Sequence, residues 1–177
     1  MKEQLINLIP EFSKIVDQEL REKVLAVWAE ALAQGGWSPE QLAELPFTLL
    51  VDDVEISFIQ HVRTVAQLCL AMQKVLHDAY GDLYDIDEDT LLAGALLADV
   101  GKMIEFTRTS SGPAWSTTSK YLRHPFIGVG LCYKHGIPEA VMHVVATHSW
   151  EGDRFKRTPE SIIFHHADFT DFEMTKA

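Results

Sequence analysis

Residues 91–102 read LLAGALLADVGK. From Leu91 to Ala98 no side chain is polar, so a helix over this stretch has no face suited to water and must be enclosed by other elements. Asp99 follows immediately, which starts its carboxylate from a buried position at the carbonyl end of that helix. An ionised acid there costs several kcal/mol unless something pairs with it, and the helix dipole disfavours an anion at that end. Two arrangements relieve the strain. Asp99 can cap the next short helix, Gly101 to Phe106, or it can bind a cation, which removes both penalties at once.

Outward from this stretch, nearly every segment carries a helical period and no run alternates with period two. Glu11 to Gln34 is a long candidate helix, with Phe12, Ile15, Val16, Leu20, Val24, Val27, Trp28 and Ala31 on one side and Gly35-Gly36 as its stop. Its apolar face suits either a homodimer interface or, more commonly, the core of its own domain. Ser38-Pro39-Glu40 opens a short helix. Asp52 or Asp53 caps a third, with an expected inner stripe of Val54, Phe58, Val65, Leu68, Met72 and Val75 and an end at Gly81. Thr109 to Ser119, TSSGPAWSTTS, reads as a polar loop with one Trp. His124-Pro125 opens a helix that Gly136 closes, Pro138 opens one that ends near His148, and Thr158-Pro159-Glu160 opens the last, ending near Lys176. The expected fold is all-α: one compact bundle of roughly six to eight helices, with residues 1–50 an extension packed on a core of residues 51–177.

Composition limits the function. The chain has 177 residues, 47% of them hydrophobic and 23% charged, enough for one well-filled core and too few for two. Its 26 Asp plus Glu against 15 Lys plus Arg leave a net charge of −11. That balance argues against a nucleic-acid polymer as partner and for a small substrate. The 2 cysteines, Cys69 and Cys132, fall inside apolar stretches and fit a reduced, cytoplasmic setting. No apolar run approaches the roughly 20 residues of a membrane span, and no secretory signal is visible at the start.

The informative residues are ionisable groups on faces that should be apolar. His61 lies on the inner stripe of the third helix, three after Phe58 and four before Val65, whereas His77 falls on the opposite side. His148 shares a face with Val141 and Val145, while His143 points away. In the last helix His165 and Asp168, three apart, sit together among Ile162, Ile163, Phe164, Phe169 and Phe172. His124 begins a helix. His135, just before Gly136, reads as simple dipole complementation. A single buried His is ordinarily a core histidine with one hydrogen bond. Several imidazoles and carboxylates converging in a dry core instead suit a divalent transition metal (Fe, Mn, Co, Ni or Zn), whereas Mg or Ca would prefer oxygen ligands alone.

Taken together these residues resemble the HD-domain superfamily of metal-dependent phosphohydrolases. The matching pieces are His61 in QHVRTVAQL, Asp99 in LLADVGK, His124 in RHPFIGVGL, His148 in VVATHSWEG and Asp168 in HHADF, in the order H…HD…H…H…D, over about residues 55–172. The departure falls on the signature, where Ala98 stands in place of His. The resemblance implies one metal held by His61, Asp99 and Asp168 and a second held by Asp99, His124 and His148. Either His165 replaces the lost imidazole, or the first site is weakened and a single ion binds well.

The resemblance further implies hydrolysis of a small phosphate ester or nucleotide by metal-activated water. Asp99 and Lys102 would carry the chemistry, with Lys102 beside a phosphate oxygen. Arg123 is a second cation of the same kind, with Arg108 and Lys120 behind it. Trp115 can stack on a base or pin its loop down. Two other readings belong to the same superfamily: a diiron oxygenase, and a degenerate, non-catalytic domain that binds a ligand or partner, which Ala98 supports. Other signals fail on their own terms. Asp85, Asp87 and Asp89 imitate a calcium loop, but Thr90 and Leu96 occupy its Gly and Glu positions. Gly128 and Gly130 lack the third glycine and the strand of a dinucleotide fingerprint, and no Gly-x-Ser-x-Gly elbow occurs.

Overall fold

In the computed structural model, which describes residues 1–177, the apolar run at 91–97 forms a helix enclosed on every side. The α-helices are α1 (Lys2–Leu8), α2 (Gln18–Gly35), α3 (Phe58–Tyr80), α4 (Glu88–Leu97), α5 (Lys102–Glu105), α6 (His124–Lys134), α7 (Glu139–Thr147) and α8 (Pro159–Met174), and short 3-10 turns join several of them. Every residue of α4 from Leu91 to Leu97 is buried, because α2, α3, α7 and α8 all pack around it. One core of 40 residues takes side chains from Leu5 to Ala167, so residues 1–50 share it with the rest of the chain. No helix is long and apolar enough to cross a membrane, and both cysteines are buried and unpaired.

Several helix starts differ from the sequence expectation, each for a local reason. The second helix begins at Gln18 rather than Glu11, because the Asp17 carboxylate accepts the N–H groups of Glu19 and Leu20 and caps it there. Residues 10–14 turn as a 3-10 helix, and Val16, expected inside, is 84% exposed. The third helix starts at Phe58, not after Asp52 or Asp53. Ser57 and Gln60 form a reciprocal capping box that satisfies two backbone donors at once. Its inner face is rotated accordingly to Phe58, His61, Val62, Val65 and Cys69, with Val75 exposed. Ser38-Pro39-Glu40 leads only into a 3-10 turn, Glu40–Ala43. The all-α expectation needs one amendment. The polar stretch folds into a small antiparallel hairpin, β1 (Phe106–Thr109) paired with β2 (Gly112–Trp115), with Phe106 opposite Trp115.

The N-terminal segment is fastened to α4 at both ends. At its start, the Asp89 carboxylate accepts the N–H groups of Val16 and Asp17, both at 2.7 Å. At its end, the buried Trp28 donates its indole N–H to the Leu96 carbonyl at 2.7 Å, and Trp37 donates to the Met103 carbonyl at 2.8 Å. Those two carbonyls bracket Asp99.

A further tie joins α2 to the end of α6: Glu30 accepts from Lys134 and His135, each at 2.5 Å. These hydrogen bonds hold the Glu30 carboxyl down at about 2. A depressed carboxylate adds stability above its unfolded value near ~4.3 that is lost as pH falls through the folded value. Glu30→Gln is therefore expected to cost on the order of 1 kcal/mol at pH 7, after discounting for solvent screening. The difference from the parent should shrink as pH falls from 4.5 towards 2. Urea unfolding at several pH values measures it; a deficit that persists unchanged in acid contradicts the assignment.

Candidate metal centre

Five elements each deliver one side chain to the same point. His61 lies in the first turn of α3, Asp99 on the turn after α4, His124 at the first position of α6, His148 just beyond α7, and Asp168 midway along α8. His61, Asp99, His124 and His148 are all buried, and Asp168 is partly so. His61 Nε2 is 3.1 Å from Asp99 Oδ2 and 3.1 Å from Asp168 Oδ1. His124 Nε2 and His148 Nε2 are 3.4 Å and 3.7 Å from Asp99 Oδ1. The result is two clusters of potential ligands that share Asp99: His61 with Asp99 and Asp168, and Asp99 with His124 and His148.

The second nitrogen of each imidazole decides what the first can do. His61 Nδ1 is 2.7 Å from Asp171 Oδ2, His124 Nδ1 is 2.8 Å from Glu105 Oε2, and His148 Nδ1 is 2.8 Å from the Val145 carbonyl. A carbonyl or carboxylate only accepts, so each Nδ1 carries a hydrogen, and each ring turns its Nε2 inward, where it offers a lone pair once that nitrogen has given up its proton. His124 Nε2 and His148 Nε2 face each other at 3.1 Å. Lone pairs and carboxylate oxygens crowded together in this way repel one another unless a cation lies among them. Three imidazole nitrogens with carboxylate oxygens fit a divalent transition ion, and the acceptors behind them are the orienting groups such a site requires.

Without an ion, the acids of the cluster draw protons onto His61 and His148, so metal binding would release protons. Burial opposes charge on His61, yet Asp168, Asp171 and Asp99 prevail and raise it to about 10. Burial likewise opposes charge on Asp99, but Lys102, His148, His61 and His124 hold its carboxyl well below the ordinary range. His124 moves the other way, as burial helped by Lys102 outweighs Glu105 and keeps it neutral. The cluster thus holds cationic groups around the Asp99 carboxylate, where a metal ion could take the place of the protons on His61 and His148, while His124 stays neutral.

The remaining expected site residues divide. Lys102 is buried, with Nζ 2.8 Å from Asp99 Oδ2, and it lines the cavity above the cluster. Arg123 lines the same cavity but spends Nε on Glu105 Oε1 at 2.6 Å. Trp115 ends β2 at the rim, edge-on to Phe106 at 5.2 Å. His165 joins neither ligand cluster. Its Nδ1 donates to the His148 carbonyl at 2.7 Å and its ring packs on Phe169, so the face it shares with Asp168 is turned towards the end of α7. Arg108 and Lys120 do not line the cavity.

Residues not singled out from the sequence complete the site. Asp171 could have been found, since it sits three after Asp168 on the same helical face. Glu105, buried and bridging Arg123 to His124, leaves no such trace. Trp150 and Glu151 occupy the turn after His148. Both carboxylate oxygens of Glu151 are buried without a hydrogen bond, and Arg123 Nη1 lies 3.7 Å away.

Against known proteins, a family model described as "HD domain" matches residues 58–172. The chain is 31% identical over 179 aligned positions to the dihydroneopterin 2',3'-cyclic phosphate phosphodiesterase of Methanocaldococcus jannaschii, an alignment that covers 96% of this chain and 68% of that protein. No solved structure matches it.

Proposed function

The chain belongs to the HD domain family, and from that premise we propose that it is a metal-dependent phosphohydrolase of a small phosphate ester or nucleotide. The observation that carries this reading is the inward convergence of three imidazole Nε2 atoms on Asp99, each ring locked from behind by an acceptor. One ion would be held by Asp99, His124 and His148, and a second by His61, Asp99 and Asp168. Ala98, which stands where the family signature has His, takes from the second ion the fourth protein ligand that the family pattern would supply, so that ion is held more weakly than the family pattern implies. When bound, the ions supply Lewis acidity that polarises a phosphoryl oxygen and acidifies water.

The chain's own residues do the rest. Lys102 places its ammonium beside the cluster, with Asp99 taking one of its donors, and its remaining donors are free for a phosphoryl oxygen. Phe47, Phe169 and Phe172 form an apolar wall on the same cavity that limits the water reaching the reacting groups. The similar phosphodiesterase acts, by its name, on a cyclic phosphate. Cyclic phosphodiesters are therefore the first ester class to examine here.

Protein purified without chelator should carry one to two divalent ions per chain by elemental analysis and open 2',3'-cyclic phosphates to monoesters. Chelation should abolish the activity, and Mn, Co, Fe or Zn should restore it. A folded, metal-free and inactive protein would favour a binding module, and dioxygen consumption with iron would favour an oxygenase. Either outcome displaces the hydrolase.

A further inference from the structure

We infer that the cavity mouth carries a second subsite, built by Trp150 and Trp115 with Arg123 between them, which takes a flat nitrogen-containing aromatic ring on the organic part of the ester. The inference rests on the reading that the phosphate is bound at the Asp99 cluster, and it assigns what lies next to that phosphate.

The four tryptophans are treated very differently by the fold. Trp28 and Trp37 are 0% and 7% exposed and their indole N–H groups are spent on backbone carbonyls. Trp150 and Trp115 are 60% and 41% exposed, and both line the cavity that holds Asp99, His124 and His148. An indole left in water forgoes a large apolar area that a stacked ring would cover. Two of them at the entrance to one cavity form a surface whose natural occupant is another ring.

Arg123 sharpens the assignment. Its guanidinium lies 6.0 Å from the Trp115 ring and 5.8 Å from the Trp150 ring. Its charge is already answered by Glu105 at 2.6 Å, and the buried Glu151 carboxylate stands 3.7 Å away. Two carboxylates against one guanidinium leave little net positive charge to attract a phosphate. What Arg123 still offers is a flat guanidinium near both indoles, a surface on which an aromatic face can stack.

Chain position links the two subsites. Arg123 immediately precedes His124, and Trp150 follows His148 by two residues. The segments that present two of the metal-facing imidazoles therefore also carry part of the ring subsite. Arg123 and Trp150 both line one cavity with Asp99 and Lys102, so a ring held there and a phosphate at the cluster can belong to one nucleoside-like ester. The wall of Phe47, Phe169 and Phe172 on the same cavity is unsuited to a bare sugar or a charged polymer.

The test compares two probes on the metal-loaded protein: guanosine 2',3'-cyclic phosphate, which carries a ring, and glycerol 1,2-cyclic phosphate, which does not. The parent should prefer the first in kcat/KM. Trp150→Ala should reduce the ratio between the two by roughly 10-fold or more, the effect of losing one base stack, mostly through KM. Trp150→Phe should recover most of the ratio, and Trp115→Ala should lower it independently. Guanosine without phosphate should quench the exposed tryptophans, and Trp150→Ala should weaken that binding whether or not either ester is hydrolysed. Hydrolysis of both esters with equal efficiency, or equal losses on both in Trp150→Ala, overturns the subsite while leaving the hydrolase intact. Guanosine binding in a protein that hydrolyses neither ester does the reverse.

Discussion

Asp99→Asn is expected to empty both ligand clusters and lower kcat/KM by about 1,000-fold or more. The magnitude follows from losing an electrostatic contribution of several kcal/mol at ~1.4 kcal/mol per tenfold in rate. Asp99 is the one carboxylate that both clusters share, so the neutral amide removes the common negative charge at nearly constant volume. A second effect runs through Lys102, which is buried with its ammonium 2.8 Å from the same carboxylate. Breaking a buried pair from one side costs about 3–5 kcal/mol, so the metal-free variant should also melt well below the parent. The double variant Asp99→Asn/Lys102→Met removes the stranded charge. It should recover much of the melting temperature and none of the activity or bound metal. Calorimetry and elemental analysis of the two variants separate these effects, and an Asp99→Asn protein that keeps its metal contradicts the shared-ligand assignment.

Gly101→Ala should be nearly as damaging although it adds one methyl group and alters no ligand. Gly101 is in ordinary helical conformation, so its lack of a side chain serves contact rather than backbone freedom. A Cβ there would lie 2.2 Å from the His124 carbonyl oxygen and 2.9 Å from its Cα. Backbone cannot rotate aside, so the turn carrying Asp99 and Lys102 must separate from the start of α6. Overpacking of this kind costs about 1–3 kcal/mol, or roughly 2–4 °C of melting temperature per kcal/mol in a chain this long. A displacement near ~1 Å between His124 and Asp99 is of the size that costs on the order of 100-fold in rate. Gly130→Ala is the contrasting change. Nothing lies within 4 Å of its Cβ position, and in mid-helix it should be neutral or stabilise by about 0.5–1 kcal/mol. Equal behaviour of the two variants would show that the close approach at Gly101 is unimportant.

The difference between what could and could not be read beforehand is itself physical. The run at 91–97 announces a central helix because it has no polar side, and Gly81 and His124-Pro125 mark ends through local chemistry that needs no knowledge of neighbours. Val16 and Val75 look the same as core residues in sequence, and only the true helix starts, set by Asp17 and Ser57, show that they face water. The hairpin escaped notice because strands of four residues, Thr-rich on one side and Gly-Pro on the other, are too short for a period. At the site, buried acids and imidazoles stood out against apolar surroundings. Glu105, Trp150 and Glu151 did not, because their importance lies in what they touch across the fold. His165 satisfied the helical spacing and still missed the cluster, since the direction of a face depends on which helix it meets.

The two indoles that reach from residues 28 and 37 to the backbone on either side of Asp99 have a practical corollary. They act as a brace, so the turn that carries Asp99 is held partly by a region outside the stretch matched by the family. Excising residues 58–172 along that boundary would leave the Leu96 and Met103 carbonyls to solvent and strip one flank from α4. A fragment cut at that boundary should therefore melt below the whole chain, because its first helices share the core they enclose.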